Sequence, residues 1–149
     1  MATIKFFEDY HIGDKVSVGE FELEKGEIID FARKWDPQPF HTDESAAADS
    51  IYGGLTASGC HLVSIAMSLV EKSDAKPKVI GAIGWDELRF PNPARPGDRL
   101  TLTLDCIETR PSESKADRGI VRNQFTLANQ NGETVLLLKD TILVEKRLK

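Results

Sequence analysis

The sequence predicts an α+β fold, a single domain over residues 1–149 in which an antiparallel sheet curls around one buried helix. Three observations predict it. An amphipathic helix pattern comes early, a second helical segment between Ser58 and Lys72 is apolar on nearly every side, and the chain from Val79 onward alternates with the period of β-strands. The order of these segments is nearly as compatible with a simple α+β sandwich.

The elements follow in order. Lys15 to Leu23 alternates weakly through Val16, Val18, Phe21 and Leu23 and predicts a first strand. Ile28, Phe31, Ala32 and Trp35 then fall at i, i+3, i+4 and i+7, the stripe of a helix from Glu24 to Trp35. Asp36-Pro37 ends it, because proline pushes the residue before it out of the helical region. Asp36 to Phe40 reads as irregular, and a short helix over Asp43 to Ala48 follows, with Thr42 as its expected N-cap. Gly53-Gly54 breaks the chain before the apolar helix, which the composition predicts to be enclosed by other elements. Val79 to Phe90 predicts a strand with Gly81 and Gly84 as bulge or crossing points. Leu100, Leu102, Leu104 and Cys106 alternate with polar residues in the next strand, and Val121, Asn123, Phe125 and Leu127 mark another. Asn129-Gln130-Asn131-Gly132 predicts a hairpin turn, from which Thr134 to Val144 returns antiparallel.

Composition removes several functions. There are 19 Lys and Arg against 24 Asp and Glu, a net charge of −5, with no basic cluster, so nucleic acid is not an expected partner. Two cysteines, Cys60 and Cys106, suit reduced thiols in a cytoplasmic protein. The N-terminus lacks the apolar core of a signal peptide. Ser50 to Val70 carries no Asp, Glu, Lys or Arg over 21 residues, but only 12 of these are apolar and glycines and serines interrupt them, so a buried helix is expected and no membrane span. No phosphate-loop or dinucleotide glycine pattern occurs, and His41-Thr42-Asp43 is too sparse for a metal site, so no metal is expected.

Two segments could carry chemistry. Trp35-Asp36-Pro37-Gln38-Pro39-Phe40-His41 sets a carboxylate and an imidazole five residues apart on a stretch stiffened by two prolines, with Trp35 and Phe40 expected to desolvate them. Such a pair can hold a water and move protons at neutral pH; equally, Asp36 could simply end the helix and His41 pack in a loop. The second is Thr56-Ala57-Ser58-Gly59-Cys60, the entry to the apolar helix. There the first N–H groups lack partners, and Gly59 would let a carbonyl oxygen come close; taken alone, the segment reads as readily as a plain Ser or Thr cap with a small residue for packing. His61 could line a pocket or pack the helix, and His11 reads as a surface residue. Arg89, Arg95, Arg99, Arg110, Lys115 and Arg118 gather in the second half, where they would suit a phosphate or stand as ordinary solvated charge.

The run Asp-x-[Asn/Gln]-Pro-x-His, a short helix and a glycine-rich turn into an apolar helix resemble the MaoC-like, (R)-specific enoyl-CoA hydratases. Leu88-Arg89-Phe90-Pro91-Asn92-Pro93-Ala94-Arg95-Pro96-Gly97-Asp98-Arg99-Leu100 resembles the same family's strand, proline turn and Gly-Asp turn. The resemblance runs from about Glu24 to the C-terminus. It implies the hot-dog fold, in which a long helix is wrapped by an antiparallel sheet, and a hydratase or dehydratase acting on an enoyl-CoA thioester. Asp36 and His41 then match the catalytic pair, and Gly59 matches the glycine whose N–H polarises the thioester carbonyl. Gln38, Phe40, Ser58 and His61 are the expected substrate-binding neighbours. Gln38 stands where the family usually has Asn, Phe40 where it has an aliphatic residue, and Ser58 where it commonly has His. The resemblance implies no cofactor beyond the coenzyme A thioester itself. An unpaired sheet edge predicts a homodimer or higher homo-oligomer. A hot-dog thioesterase and a non-catalytic acyl-CoA-binding subunit are the alternative readings.

Overall fold

The computed structural model describes residues 3–148. Five strands form an antiparallel sheet in the order β2-β5-β6-β7-β4: β2 is Lys15–Glu22, β4 Val79–Arg89, β5 Arg99–Pro111, β6 Arg118–Ala128 and β7 Thr134–Glu145. Against its inner face lies α4, Gly59–Glu71, and α1, Lys25–Trp35, packs beyond it. The sheet curled around a helix, expected from the pattern, is therefore the observed architecture. Beside it stands a small parallel pair, β1 (Thr3–Lys5) with β3 (Ala75–Pro77), which the sequence pattern did not announce.

The hydrophobic periods decide what is buried. Leu62, Ile65, Ala66 and Leu69 of α4 meet Leu100 and Leu102 of β5, Phe125 and Leu127 of β6, and Leu136 and Leu138 of β7 in one core, to which α1 adds Ile28. The stripe of α1 stops short of its last member, because Trp35 is 65% exposed with the Lys34 ammonium over its ring. Nor is α4 enclosed all round. Cys60 and Ser64, four residues apart on one face, are exposed beside β4. Small side chains on that face resemble core in sequence, although none of the described residues covers them.

Local structure departs from expectation in two places near the site. Pro39–Thr42 forms a short helix, α2, with proline at its first position, where the missing N–H costs nothing. The next helix, α3 (Glu44–Ala48), is capped by Asp43, whose Oδ1 accepts from the N–H groups of Ser45 and Ala46 at 2.9 and 3.4 Å, so the cap is Asp43 and not Thr42. Strand β4 shifts register at Val79/Gly81, at Ala82/Gly84 and again before Arg89, which places bulges at both expected glycines.

A polar row crosses the inner face of the sheet. Cys106, Asn123, Asp140 and Trp85 are opposite one another on β5, β6, β7 and β4, and they divide the main core from a smaller cluster of Tyr10, Val121, Ile142 and Val144. Phe7, from the turn after β1, closes that smaller cluster by lying on Gly119, where any side chain would overlap its ring. The indole Nε1–H of Trp85 donates to Asp140 Oδ1 at 3.0 Å. Asp140 is 6% exposed, and burial pushes its carboxyl pKa up to about 6 from the ordinary 3.8, against the opposing hydrogen bond. Tyr10, Lys5, Asp14 and Cys106 face the same space.

Asp140 therefore opposes folding as it ionises. Its folded-state pKa lies above the unfolded one, so the unfolded chain releases the proton first and stability falls as pH rises from about 3.8 to about 6. Asp140→Asn, which keeps an acceptor for Trp85, is expected to stabilise the protein by about 1–3 kcal/mol above pH 7 and to have no such benefit near pH 4. Thermal or urea unfolding of both proteins across that range measures the difference.

Candidate active site

The site forms where α1 ends, α2 begins and α4 starts. Asp36 is the residue after α1, its N–H still bonded to Ala32 O at 2.9 Å, and Pro37 turns the chain so that α2 presents His41 inward. His41 is 6% exposed, with Phe40 edge-on at 4.6 Å between ring centroids. Its Nδ1 lies 2.6 Å from the carbonyl oxygen of Thr56. A carbonyl can only accept, so the proton is on Nδ1 and the neutral ring leaves Nε2 bare. That Nε2 stands 3.5 Å from Oδ2 of Asp36. The same Oδ2 accepts a hydrogen bond from Ser58 Oγ at 2.7 Å, and Ser58 is wholly buried.

Ser58 is also the N-cap residue of α4, yet its hydroxyl caps nothing, having been given to Asp36. The first N–H groups of α4, from Gly59 onward, thus keep their hydrogen-bonding capacity and the positive end of the helix dipole. A Cβ at Gly59 would lie 2.4 Å from Phe90 Cζ. Glycine is therefore required for the Phe90 ring to close over this turn, a demand separate from access to its N–H. Phe90 and Gly59 border two cavities. One of about 210 Å³ contains His41, Phe40 and Tyr52, and another of about 500 Å³ contains Asp36, Cys60 and Val63.

A clamp behind the pair fixes its geometry. Thr56 N–H donates to Phe40 O at 3.2 Å and Ala57 N–H to Ala94 O at 2.9 Å. Arg95 donates from Nη1 to Gly54 O at 2.9 Å and from Nη2 to Tyr52 O, while Asp98 holds Arg95 N–H at 2.8 Å. The guanidinium thus grips the segment whose Thr56 carbonyl orients His41. Arg95 was among the cations considered for a phosphate; its donors are engaged here. Arg118 is likewise taken, by Asp117.

The other sequence-derived candidates are dispersed. Phe40 lies at the site, but Gln38 is exposed and lines neither cavity, its carbonyl oxygen accepting from Thr42 Oγ1. His61 is on the far side of α4. It stacks on Phe31 at 4.5 Å, its Nε2 is 3.4 Å from Glu27 Oε1, and its buried Nδ1 has no partner; burial holds its pKa below the ordinary value. Trp35, expected to desolvate the pair, turns to solvent, and Phe40, Ser58 and Thr56 surround the pair in its place. Thr56 and Arg95 were missed as positioning groups, since nothing in their spacing links them to His41. Among the described residues no three His, Cys, Asp or Glu side chains are grouped as a metal would need.

Comparison with known proteins gives the family. The MaoC like domain model matches residues 9–129. A MaoC-like dehydratase from Rhodospirillum rubrum superposes with a TM-score of 0.90 at 40% identity, covering 97% of this chain and 99% of that one. An R-hydratase from Pseudomonas aeruginosa, unliganded, shares the fold with a TM-score of 0.78 at 22% identity over 95% of this chain and 86% of its own. The protein named MaoC of Klebsiella aerogenes is 35% identical over 103 residues, which are 68% of this chain but 30% of that longer protein, so the chain spans under a third of it. A sheet wrapped around one long helix is the hot-dog fold. With most of its length matched by the family model and an end-to-end likeness to a MaoC-like dehydratase, the chain belongs to the MaoC-like dehydratase family.

Proposed function

We propose that the protein is a hydro-lyase that adds water to, or removes it from, the 2,3 double bond of an enoyl-CoA thioester, with Asp36 and His41 as the catalytic pair and Gly59 N–H as the oxyanion donor. One observation carries this reading: a histidine whose Nδ1–H is committed to Thr56 presents a bare Nε2 toward a carboxylate 3.5 Å away, beside an uncapped helix start. Two acceptors facing each other need a proton or a water between them, and a water bound there has one O–H aimed at each.

Hydration then balances as follows. The thioester oxygen lies on Gly59 N–H, which stabilises charge better in the transition state than in the ground state. His41 Nε2 takes a proton from the water as its oxygen bonds to Cβ. The π electrons move onto the thioester oxygen as an enolate. That proton crosses the short gap from His41 to Asp36, which delivers it to Cα, so the pair ends as the neutral imidazole and carboxylate with which it began. No cofactor enters any step. Ser58 donates to the carboxylate form of Asp36 and orients it.

Asp36→Asn and His41→Ala are each expected to lower kcat for a short enoyl-CoA by about 10²–10⁴, followed as loss of the conjugated thioester chromophore. Wild-type turnover in both variants would defeat the assignment. Release of free thiol without loss of the alkene would make the protein a thioesterase, and tight binding without turnover a binding subunit.

Arg95→Ala loosens the Thr56 segment without touching substrate. Its expected signature is a fall in kcat of about tenfold with KM little changed, as for a lost interaction worth about 1.4 kcal/mol in the transition state; an equal rise in KM alone would point to substrate contact instead.

The edge strand β4 leaves Val79, Ile80 and Ile83 exposed at 44%, 43% and 56%. An unpaired edge of that composition invites pairing, and a two-fold contact between copies would close both edges at once. The homodimer reading predicts twice the chain mass by light scattering, and Ile83→Lys is expected to shift the protein toward monomer.

A further inference from the structure

The groove of about 500 Å³ beside α4 is lined by Asp36 and Gly59, by Val63 and Ser64 of α4, and by Leu88 and Trp85 of β4. A second cavity, of about 320 Å³, lies under the C-terminal end of α4, bordered by Val70 and by the polar row of Asp140, Asn123 and Cys106. Trp85 lines the first and Asp140 the second, and the two residues are joined by the 3.0 Å hydrogen bond from the indole. The indole is 48% exposed, so packing alone does not lock it; the bond to a buried side chain fixes its angle. Trp85 of β4 stands five residues before Phe90, which follows the strand, so at ~3.3 Å per residue the two are at most ~16 Å apart and the space between the reacting end and the indole is finite.

We propose that Trp85, held by Asp140, is the end wall of the acyl groove and sets the longest acyl chain the protein accepts. The inference rests on the acyl-thioester reading of the site and names the residue that limits its substrate. A chain that fills the groove gains affinity with every methylene taken from water, about fourfold in Kd each. The gain ends where the chain meets the indole, because going further means displacing the ring from Asp140 or bending out to solvent. Behind the indole stand the Asp140 carboxyl, the Asn123 carboxamide and the Cys106 thiol, opposite one another across the sheet.

The test separates binding from chemistry. Saturated acyl-CoA thioesters from butyryl to dodecanoyl, which cannot be hydrated, are titrated calorimetrically into wild type and Trp85→Ala, with Trp85→Leu as a milder truncation should alanine not fold. For wild type, Kd is expected to fall about fourfold per added methylene and then level off at one chain length. In the truncated proteins the levelling point moves to longer chains, while affinity for the shortest thioester is unchanged. A levelling point that stays put in a folded variant overturns the proposal, as does an affinity independent of chain length in wild type. A levelling point that moves in a protein unable to hydrate any enoyl-CoA keeps Trp85 as the wall and rejects the hydratase reading alone.

Discussion

The hydrogen bond between His41 Nδ1 and the Thr56 carbonyl is the constraint on which the site depends. It settles which imidazole nitrogen carries the proton, and with it which nitrogen can accept one from water. Much of the surrounding structure serves to keep that carbonyl in place: Phe40 and Ala94 bond the backbone on either side of it, and Arg95 holds the residues before it. The two prolines that stiffen the approach from α1 place His41 to meet it. Remove the carbonyl, and the ring is free to take the other tautomer and offer Asp36 a donor where the chemistry needs an acceptor.

The start of α4 does two jobs with one serine. A helix with its N-cap hydroxyl turned inward gains stability; here the hydroxyl is turned to Asp36, and the helix start is left open. The stability forgone, about 1 kcal/mol for a typical cap, leaves the first N–H groups of the helix with their hydrogen-bonding capacity. Sites of this kind commonly hold local energetic defects that the rest of the fold absorbs. The core formed by α4 and the inner faces of β5, β6 and β7 is large enough to do so.

Much of the fold was legible because hydrophobic period controls it. The stripe of α1, the alternation of β5 to β7 and the Asn129 hairpin all appear where pattern placed them. The pair Asp36 and His41 was legible because both lie on one short, rigid segment. What escaped depends on contacts distant in sequence. Ser58 reaches Asp36 across 22 residues and Arg95 reaches Gly54 across 41, and an arginine in a loop looks like solvated charge until its acceptors are known. Asp140 did carry a signal, since it sits in phase with Leu136, Leu138 and Ile142 on a strand that buries that phase. His61 misled for the opposite reason: proximity to Gly59 along a helix puts it 200° around the axis, at ~100° per residue, against Phe31 and away from the pair.

The most direct measurement of the account is the tautomer of His41, read from the two ring nitrogen shifts by ¹⁵N NMR of the protein at a pH where the ring is neutral, with His41→Gln assigning the signals. The account predicts a protonated Nδ1 and a bare Nε2. A protonated Nε2 with a bare Nδ1 would contradict it, because the nitrogen facing Asp36 would then have no lone pair with which to take a proton from water.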